Sequence, residues 1–322
     1  MKGWFFRRCW TNLLVLFTAL VINFALPRMM PGDPIDIFAG GVKLTGEARQ
    51  AIIERFGLDA PVWEQFVRYF TNALRGDFGL SFYYFPRSVL EVMFEALPWT
   101  LLVILSSMIL QVAIGYILGV AGAWKAGSKR DSFLQTFSLA IFSAPLFWVS
   151  MVLLYIFGYK LGWFPLGGAT APAAIYEGFW DLFLDIISHA ALPIIALTIS
   201  QYTAYQLILR NTMVSVLREQ YILIAEARGL SPRRIKHRHA ARNALLPMIT
   251  FLGISFAISI GGSVFVETVF SYPGIGKLIY DSVISRDYPL LQGCFLLLTL
   301  VVIAANFATD LIYRFLDPRI RY

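Results

Sequence analysis

This chain is short of charge. Only 15% of its 322 residues are Asp, Glu, Lys or Arg, against about 25% in a soluble domain. Hydrophobic residues make up 58% and aromatics 16%, and mean hydropathy is +0.66, so a water-soluble fold is excluded. Cysteine is scarce: Cys9 and Cys294 are the only two. They fall at opposite ends of apolar runs, most of a bilayer apart, far beyond the roughly 7 Å between Cα atoms that a disulfide allows. Both read as apolar packing residues. Histidine is scarce too, with three residues. His237 and His239 are two apart and diverge on a helix, and no Cys or acidic cluster accompanies them, so no metal site is expected. The apolar runs hold almost no ionisable residues at their centres; Glu267 and Asp310 sit near ends. Proton and sodium pumps place such groups in mid-membrane, so ion-coupled transport and voltage sensing are disfavoured. No nucleophile–base or metal constellation shares one depth, which argues against a membrane enzyme. Whatever powers this protein comes from outside the chain.

What is present is a set of long apolar runs. About 20 apolar residues cross the roughly 30 Å of bilayer hydrocarbon, and six spans are expected, near 10–27, 98–122, 133–158, 189–209, 248–266 and 291–313. The start of the chain mimics a signal peptide, but no small-x-small cleavage site follows Leu26-Pro27-Arg28, so an uncleaved first span is expected. Basic residues set the orientation. With both termini cytoplasmic, the inner segments carry Lys2, Arg7, Arg8, Lys125, Lys129, Arg130, eight basic residues in 210–247, and Arg314, Arg319 and Arg321. The short outer loops carry only Lys160, Lys277 and Arg286. The remaining basic residues lie in the long outer segment 28–97, whose length lets it translocate regardless of charge. The basic excess is thus sorted by membrane side, and nucleic acid is not an expected partner.

The chain is expected to form three regions: a tail with span 1 (1–27), a small extracytoplasmic subdomain (28–97), and a core bundle (98–322) carrying a cytoplasmic loop at 210–247. In the subdomain, Thr45-Gly46-Glu47 opens a helix closed by Gly57. Pro61 suits the first position of a second helix, and Gly76 stops it. A third stretch, 88–97, leads into Pro98 and span 2. In the bundle, Gly115, Gly119 and Gly122 predict close helix packing. Pro145 interrupts span 3 and is either a gating hinge or a static kink. Gln201, Tyr202 and Gln206, with Tyr205, are polar candidates for a pathway or for interhelical hydrogen bonds, the second being favoured.

The loop 210–247 is too polar for lipid yet patterned like folded helices. Residues 219–228 predict a helix stopped by Gly229 in a left-handed cap. Ser231-Pro232 restarts a helix, with Ser as N-cap and Pro at the first helical position. Small Ala225 and Ala227 leave room for another surface. A solvated connector or a contact with anionic lipid needs none of these features together.

The pattern Tyr221-x-x-x-Ala225-Glu226-Ala227-Arg228-Gly229-Leu230-Ser231-Pro232-Arg233, followed by His239-Ala240-x-Arg242-Asn243-Ala244-Leu245-x-Pro247, resembles the ATPase-coupling loop of binding-protein-dependent ABC importer permeases. It is most similar to the oligopeptide, dipeptide and nickel branch, first-subunit type. The wider pattern has Glu-Ala-Ala ahead of the Gly; here Leu223-Ile224-Ala225 stands there, so no role of that Glu carries over. Further pieces in the same order are Pro31-Gly32-Asp33-Pro34, Phe56-Gly57-Leu58-Asp59-x-Pro61, Gly76-Asp77-Phe78-Gly79-x-Ser81, Pro98-x-Thr100-Leu101, Gly162-Trp163-Phe164-Pro165, Glu267-Thr268-Val269-Phe270-Ser271-Tyr272-Pro273-Gly274-Ile275-Gly276, and Leu316-Asp317-Pro318-Arg319.

The resemblance implies an all-α polytopic protein with six transmembrane helices and the type I ABC importer permease fold, in a prokaryotic inner membrane. It implies one half of a pathway for peptides, or for related oligosaccharides or nickel complexes. It also implies a homologous second permease, two cytoplasmic ATPases holding ATP and Mg, and an extracytoplasmic binding protein. No cofactor is expected on this chain beyond contact with membrane lipid. The segment Gly274-Ile275-Gly276-Lys277 is a near miss to a phosphate loop, but Leu278 and Ser271 replace required residues. With Glu267, Tyr272 and Pro273 it reads as a turn shaping the outer mouth. The rival reading is a stand-alone channel or facilitator.

Overall fold

In the computed structural model, residues 2–29, 46, 50 and 59–316 are described. The expected helix between Thr45 and Gly57, the Pro31–Pro34 motif and the terminal Asp317-Pro318-Arg319 lie outside the described residues or largely so. The described chain is helical. Its helices are α1 (Lys2–Met29), α2 (Val62–Leu74), α3 (Val89–Trp124), α4 (Lys129–Phe142), α5 (Leu146–Lys160), α6 (Phe179–Val216), α7 (Gln220–Ala227), α8 (Pro232–Val269), α9 (Ile275–Ile284) and α10 (Tyr288–Leu316). Inside a bilayer each backbone N–H and C=O must be satisfied within its own segment, which leaves helices as the form for such apolar runs.

Among the described residues, four helices are long and apolar enough to cross a membrane: α3, α6, α8 and α10 over its described part. The expected third span is not one helix. It is α4 and α5, bent by 92° at a short break, and counts as a fifth span if the two halves are one. The break falls at Ser143-Ala144-Pro145, because Pro145 has no N–H to continue the ladder of α4 and caps α5 instead. The first run lies in α1, whose apolar stretch Trp10–Ala25 is shorter than the others.

The spanning helices extend past the apolar runs that predicted them. At about 1.5 Å per residue, the 36 residues of α3 and 38 of α6 reach well beyond the hydrocarbon. Pro98 does not open a new helix: α3 begins at Val89 and runs through it. The cost is one backbone hydrogen bond. Pro61 is likewise the residue before α2 rather than its first residue. Gly76, at φ +74, stops α2 as expected, with the Asp77 amide donating to Asn72 O at 2.9 Å.

The chain divides into two compact units. One holds the described residues up to Thr100 together with Pro273–Ile303. In it, Phe24 of α1 meets Phe66 of α2 edge-on at 5.1 Å, and Arg28 donates to Gln65 at 2.7 Å. Asp287 is fully buried. It accepts from the Leu290 amide in the first turn of α10 (3.1 Å), the Tyr83 amide (3.0 Å) and the Ser81 hydroxyl. It thereby caps α10 and ties the 80–84 loop to it. The Ile275 amide, at the start of α9, donates to Thr100 Oγ1 at 2.8 Å.

The other unit holds Leu101–Tyr272 and the described residues from Ala304. Its core is the packing of α6 against α8, α4, α5 and the C-terminal half of α3. The glycines of α3 form a notch for α6. A Cβ on Gly115 would lie 2.5 Å from Tyr205 Cβ, one on Gly119 2.9 Å from Gln206 O, and one on Gly122 3.0 Å from Asp131 Oδ1. Small residues one turn apart let the two backbones approach, as the spacing predicts.

That notch yields a test. Gly115→Val forces α3 off α6 and should destabilise by about 1–3 kcal/mol or more, read as a lower thermal unfolding midpoint in detergent. Gly261→Val, at a helical glycine with open space around its Cβ position, should cost under about 1 kcal/mol. Equal losses at both positions would refute the packing account.

Candidate functional site

The candidate site is the segment between α6 and α8. Its first element, α7, forms because Glu219 adopts extended backbone ahead of it and Arg228 closes it. Then Gly229, at φ +73, turns the chain. The Gly229 amide donates to Glu226 O at 2.8 Å and the Leu230 amide to Ala225 O at 3.2 Å. These two bonds satisfy the carbonyls that a helix end leaves open, and a left-handed glycine makes them possible. Leu230 completes the stop by packing on the same core that buries Ala225.

Ser231 precedes Pro232 as expected, with extended backbone and Pro at the first turn. Its hydroxyl, however, makes no capping bond. The Arg234 and Ile235 amides donate to the Ser231 carbonyl instead, at 2.9 and 3.0 Å. The second helix does not end within the loop. It is the first turn of α8, which widens into a π-helical turn over Ile235–Ala241 and continues as α-helix to Val269. The turn is therefore built onto a membrane-spanning helix without a joint.

One face of this segment is fixed and the other is free. Ile222, Ala225, Ile235, Ala240, Ala241 and Ala244 are buried with Val120, Ala123, Tyr205, Leu209, Met213 and Met248. Tyr221, Leu223 and Ile224 are exposed, the latter two by more than half. Exposed too are Glu226, Ala227, Arg228, Gly229 and Arg233. Asn243 of α8 donates to the Tyr221 hydroxyl at 2.7 Å, so two residues of the sequence pattern meet and brace α7 against α8. His239, Arg242 and Pro247 lie on α8; the side chains of His239 and Arg242 make no hydrogen bond among the described residues.

The cross-brace at the base of this unit was not legible in the sequence. Asp131 is 2% exposed, and Arg210 grips it with two nitrogens, Nη2 at 2.6 Å and Nε at 3.2 Å. Asp131 also accepts from the Gly127 amide at 2.9 Å and from Gln135 at 3.0 Å. The Ser128 hydroxyl accepts from the Asp131 amide and caps α4. The only local signal was that serine three residues ahead; nothing in the chain paired 131 with 210.

The polar candidates in the bundle are buried. Gln206 accepts from Ser138 at 2.6 Å and donates to Leu134 O at 3.3 Å. The Tyr202 hydroxyl donates to Ser138 at 3.3 Å, and Thr203 donates to Ser138 O at 3.1 Å. Gln201 lies within 3.5 and 3.4 Å of the Ser255 and Ser259 hydroxyls. They join α6 to α4 and to α8. Pro145 lies at the break between α4 and α5.

In the turn between α8 and α9, Glu267 and Tyr272 are fully buried, and the Tyr272 amide donates to Glu267 O at 2.8 Å. Pro273 is exposed, Gly274 precedes α9 and Gly276 lies buried in its first turn. The resemblance of Gly274–Lys277 to a phosphate loop ends in this geometry. The Ile275 amide is taken by Thr100, and Lys277 pairs with Asp281 at 2.7 Å.

Residues 111–322 match the family model described as binding-protein-dependent transport system inner membrane component. Residues 1–104 match the N-terminal model of the same kind of membrane component. The chain is 35% identical to the di/tripeptide transport system permease protein DppB of Pseudomonas aeruginosa, over 100% of this chain and 99% of that one. It is 37% identical to a probable peptide ABC transporter permease of Sinorhizobium fredii, over the full length of both. It is 34% identical to the oligopeptide transport system permease AppB of Bacillus subtilis, again over the full length of both. Among solved structures, an inward-facing MetNI methionine ABC transporter shares the fold, with TM-score 0.58 at 18% identity, covering 71% of this chain and 97% of that one.

The brace at Asp131 and Arg210 is open to a double-mutant cycle. Arg210→Met alone leaves a buried carboxylate short of its main partner and should cost roughly 3 kcal/mol. Asp131→Asn with Arg210→Met should cost less than the sum of the two single changes, because the second removes a charge the first left unpaired. Additive losses in thermal unfolding would show that the pair does not interact as the geometry states.

Proposed function

The chain belongs to the binding-protein-dependent transport system inner membrane component family, and from that premise we propose that this permease subunit carries peptides inward, driven by ATPases that dock on the turn around Gly229. The protein is a membrane-embedded ABC transporter permease, and as a permease it is not by itself an enzyme. The peptide assignment is supported by relatives named as di/tripeptide, peptide and oligopeptide permeases across their full length.

One observation carries the mechanism: the turn is continuous with α8. A push on the exposed residues Tyr221, Leu223, Ile224 and Gly229 has no loose joint to absorb it. The buried face of α7 and the first turns of α8 share one apolar core, and the Asn243–Tyr221 bond links them again. Movement of the turn is therefore movement of a spanning helix and of α6, which packs on it. A close-packed core transmits displacement rather than absorbing it. In this reading ATP and Mg sit on two partner ATPases, and nucleotide-driven closure tips the bundle between inward-open and outward-open states. A homologous second permease supplies the other half of the pathway.

The remaining assignments rest on the same reading. Both termini and residues 210–247 face the cytoplasm, by the distribution of Lys and Arg. Residues 28–97 and the outer turn from Glu267 to Gly276 face the opposite side, where an extracytoplasmic binding protein delivers substrate. The bundle within 98–322 then alternates access between the two sides.

Gly229 is the position to change. A β-branched residue there is forced into the left-handed region, where such side chains are rare outliers. Gly229→Val should distort the turn, leave membrane insertion and the bundle intact, and cut ATP-dependent uptake of a labelled dipeptide in reconstituted complexes by at least about tenfold, the rate equivalent of 1.4 kcal/mol. Undiminished uptake would refute the docking role. Uptake by the chain alone, without ATPases, would favour a stand-alone channel.

A further inference from the structure

We propose that the concavity formed by Ser231, Arg233, Arg234, His237 and Arg238, which borders the turn assigned above to ATPase docking and shares Ser231 and Arg233 with it, binds a phosphate-bearing anion. The cavity measures about 430 Å³. Its lining contains three arginines, a histidine and a serine, and no carboxylate. Arg233 with His237, and Arg234 with Arg238, are four residues apart, so each pair stacks along one helix face. The like charges of Arg234 and Arg238 at that spacing repel and destabilise a helix.

Elsewhere in the described chain this spacing is used for neutralisation. Arg68 reaches Glu64 at 2.6 Å, Arg87 reaches Glu91, and Lys277 reaches Asp281 at 2.7 Å. Among the described residues, Arg233, Arg234 and Arg238 form no ion pair. The cluster also cannot turn away from itself. On the opposite side of the same turns, Ile235, Ala240 and Ala241 are buried, which fixes the rotation of the helix. The Tyr116 hydroxyl lies 3.2 Å from His237 Nδ1 and fixes that ring. The Ser231 hydroxyl, which caps nothing, adds a neutral donor at the rim.

Several guanidinium forks around one open cavity suit phosphate oxygens better than a single carboxylate, since each fork presents paired N–H donors to an anion with several acceptors. The cluster lies six or more residues before Ala244, where the apolar part of α8 begins. At about 1.5 Å per residue that is roughly 10–15 Å along the axis, near enough for a lipid headgroup phosphate and open to a dissolved one.

The test uses the full chain in phosphatidylcholine nanodiscs. Inorganic phosphate is titrated calorimetrically, and retained phosphatidylglycerol is counted by native mass spectrometry from discs containing both lipids. Each arginine at an anionic surface contributes about fivefold in affinity. The triple variant Arg233→Gln, Arg234→Gln, Arg238→Gln should therefore lose about a hundredfold, and Arg234→Gln alone about fivefold. A charge-matched control, Lys125→Gln, Lys129→Gln, Arg218→Gln, should change little. Phosphate binding without lipid preference identifies a dissolved anion, and retained phosphatidylglycerol without phosphate binding identifies a headgroup; either supports the site. Absence of both in the unmodified chain overturns it, as does an equal loss in the control. Anion binding unchanged in the triple variant also overturns it, and if ATPase association is lost at the same time the patch belongs to a protein partner.

Discussion

The fit of α6 into the glycine notch of α3 is the constraint on which the described bundle depends. Transmembrane helices gain no hydrophobic free energy from leaving lipid for each other, so they associate by close contact and by polar links. Gly115 and Gly119 set the closeness, with the backbone at Tyr205 and Gln206 lying where side chains would otherwise sit. Gly122 continues the same notch to Asp131. There the contact changes character: below the glycines the buried Asp131 takes the Arg210 guanidinium at the end of the apolar part of α6. One face of α3 thus fixes α6 by shape over two turns and, at the next, leaves room for the charge pair that holds α6 to α4.

The segment after α6 inherits that rigidity. Leu209 and Met213, one turn apart on α6, bury themselves with Ile222 and Ala225 of α7 and with Ile235, Ala240 and Ala241 of α8. The turn at Gly229 is therefore supported from below by the helix that the notch positions. Its two capping bonds need a residue at φ +73, and a glycine supplies it without steric cost. Rigid support beneath and an exposed apolar surface above are what the proposed docking of an ATPase on this segment requires.

The sequence made the local rules visible and hid the long-range pairings. The glycine spacing, the stop at Gly229 and the Ser-Pro restart each state a backbone requirement within a few residues, and each appears in the structure. The helix boundaries were less legible, because apolar composition marks the hydrocarbon and not the ends of helices that continue into water. Pro98 and Pro145 illustrate the limit: one lies within a continuous helix and the other at a 92° break. The difference lies in context, since the backbone at Pro145 is extended (ψ 134) and opens a new helix there, and proline chemistry alone does not separate the cases. Asp131 with Arg210, and Ser81 with Asp287, are 79 and 206 residues apart. No period or motif encodes such a pair in one chain. Tyr221 and Asn243 were both named from the sequence pattern, but their contact comes from folding the turn.

The buried amides of α6 bear on how transport proceeds. Gln201, Tyr202 and Gln206 are each less than a tenth exposed, and their partners lie on α4 and α8. In this conformation they are cross-links between helices rather than a lining. A polar link inside a bilayer has no water to exchange with, so breaking it exposes an unpaired amide or hydroxyl to hydrocarbon. Motion that keeps α4, α6 and the lower part of α8 together avoids that cost, whereas sliding one past another incurs it at Ser138 and Gln206 together. The same three helices also carry Asp131, Arg210 and the core beneath the turn. The inexpensive displacement is therefore of this group as one body, with the flexible element sought at the extended backbone between α4 and α5 rather than within the cross-linked helices.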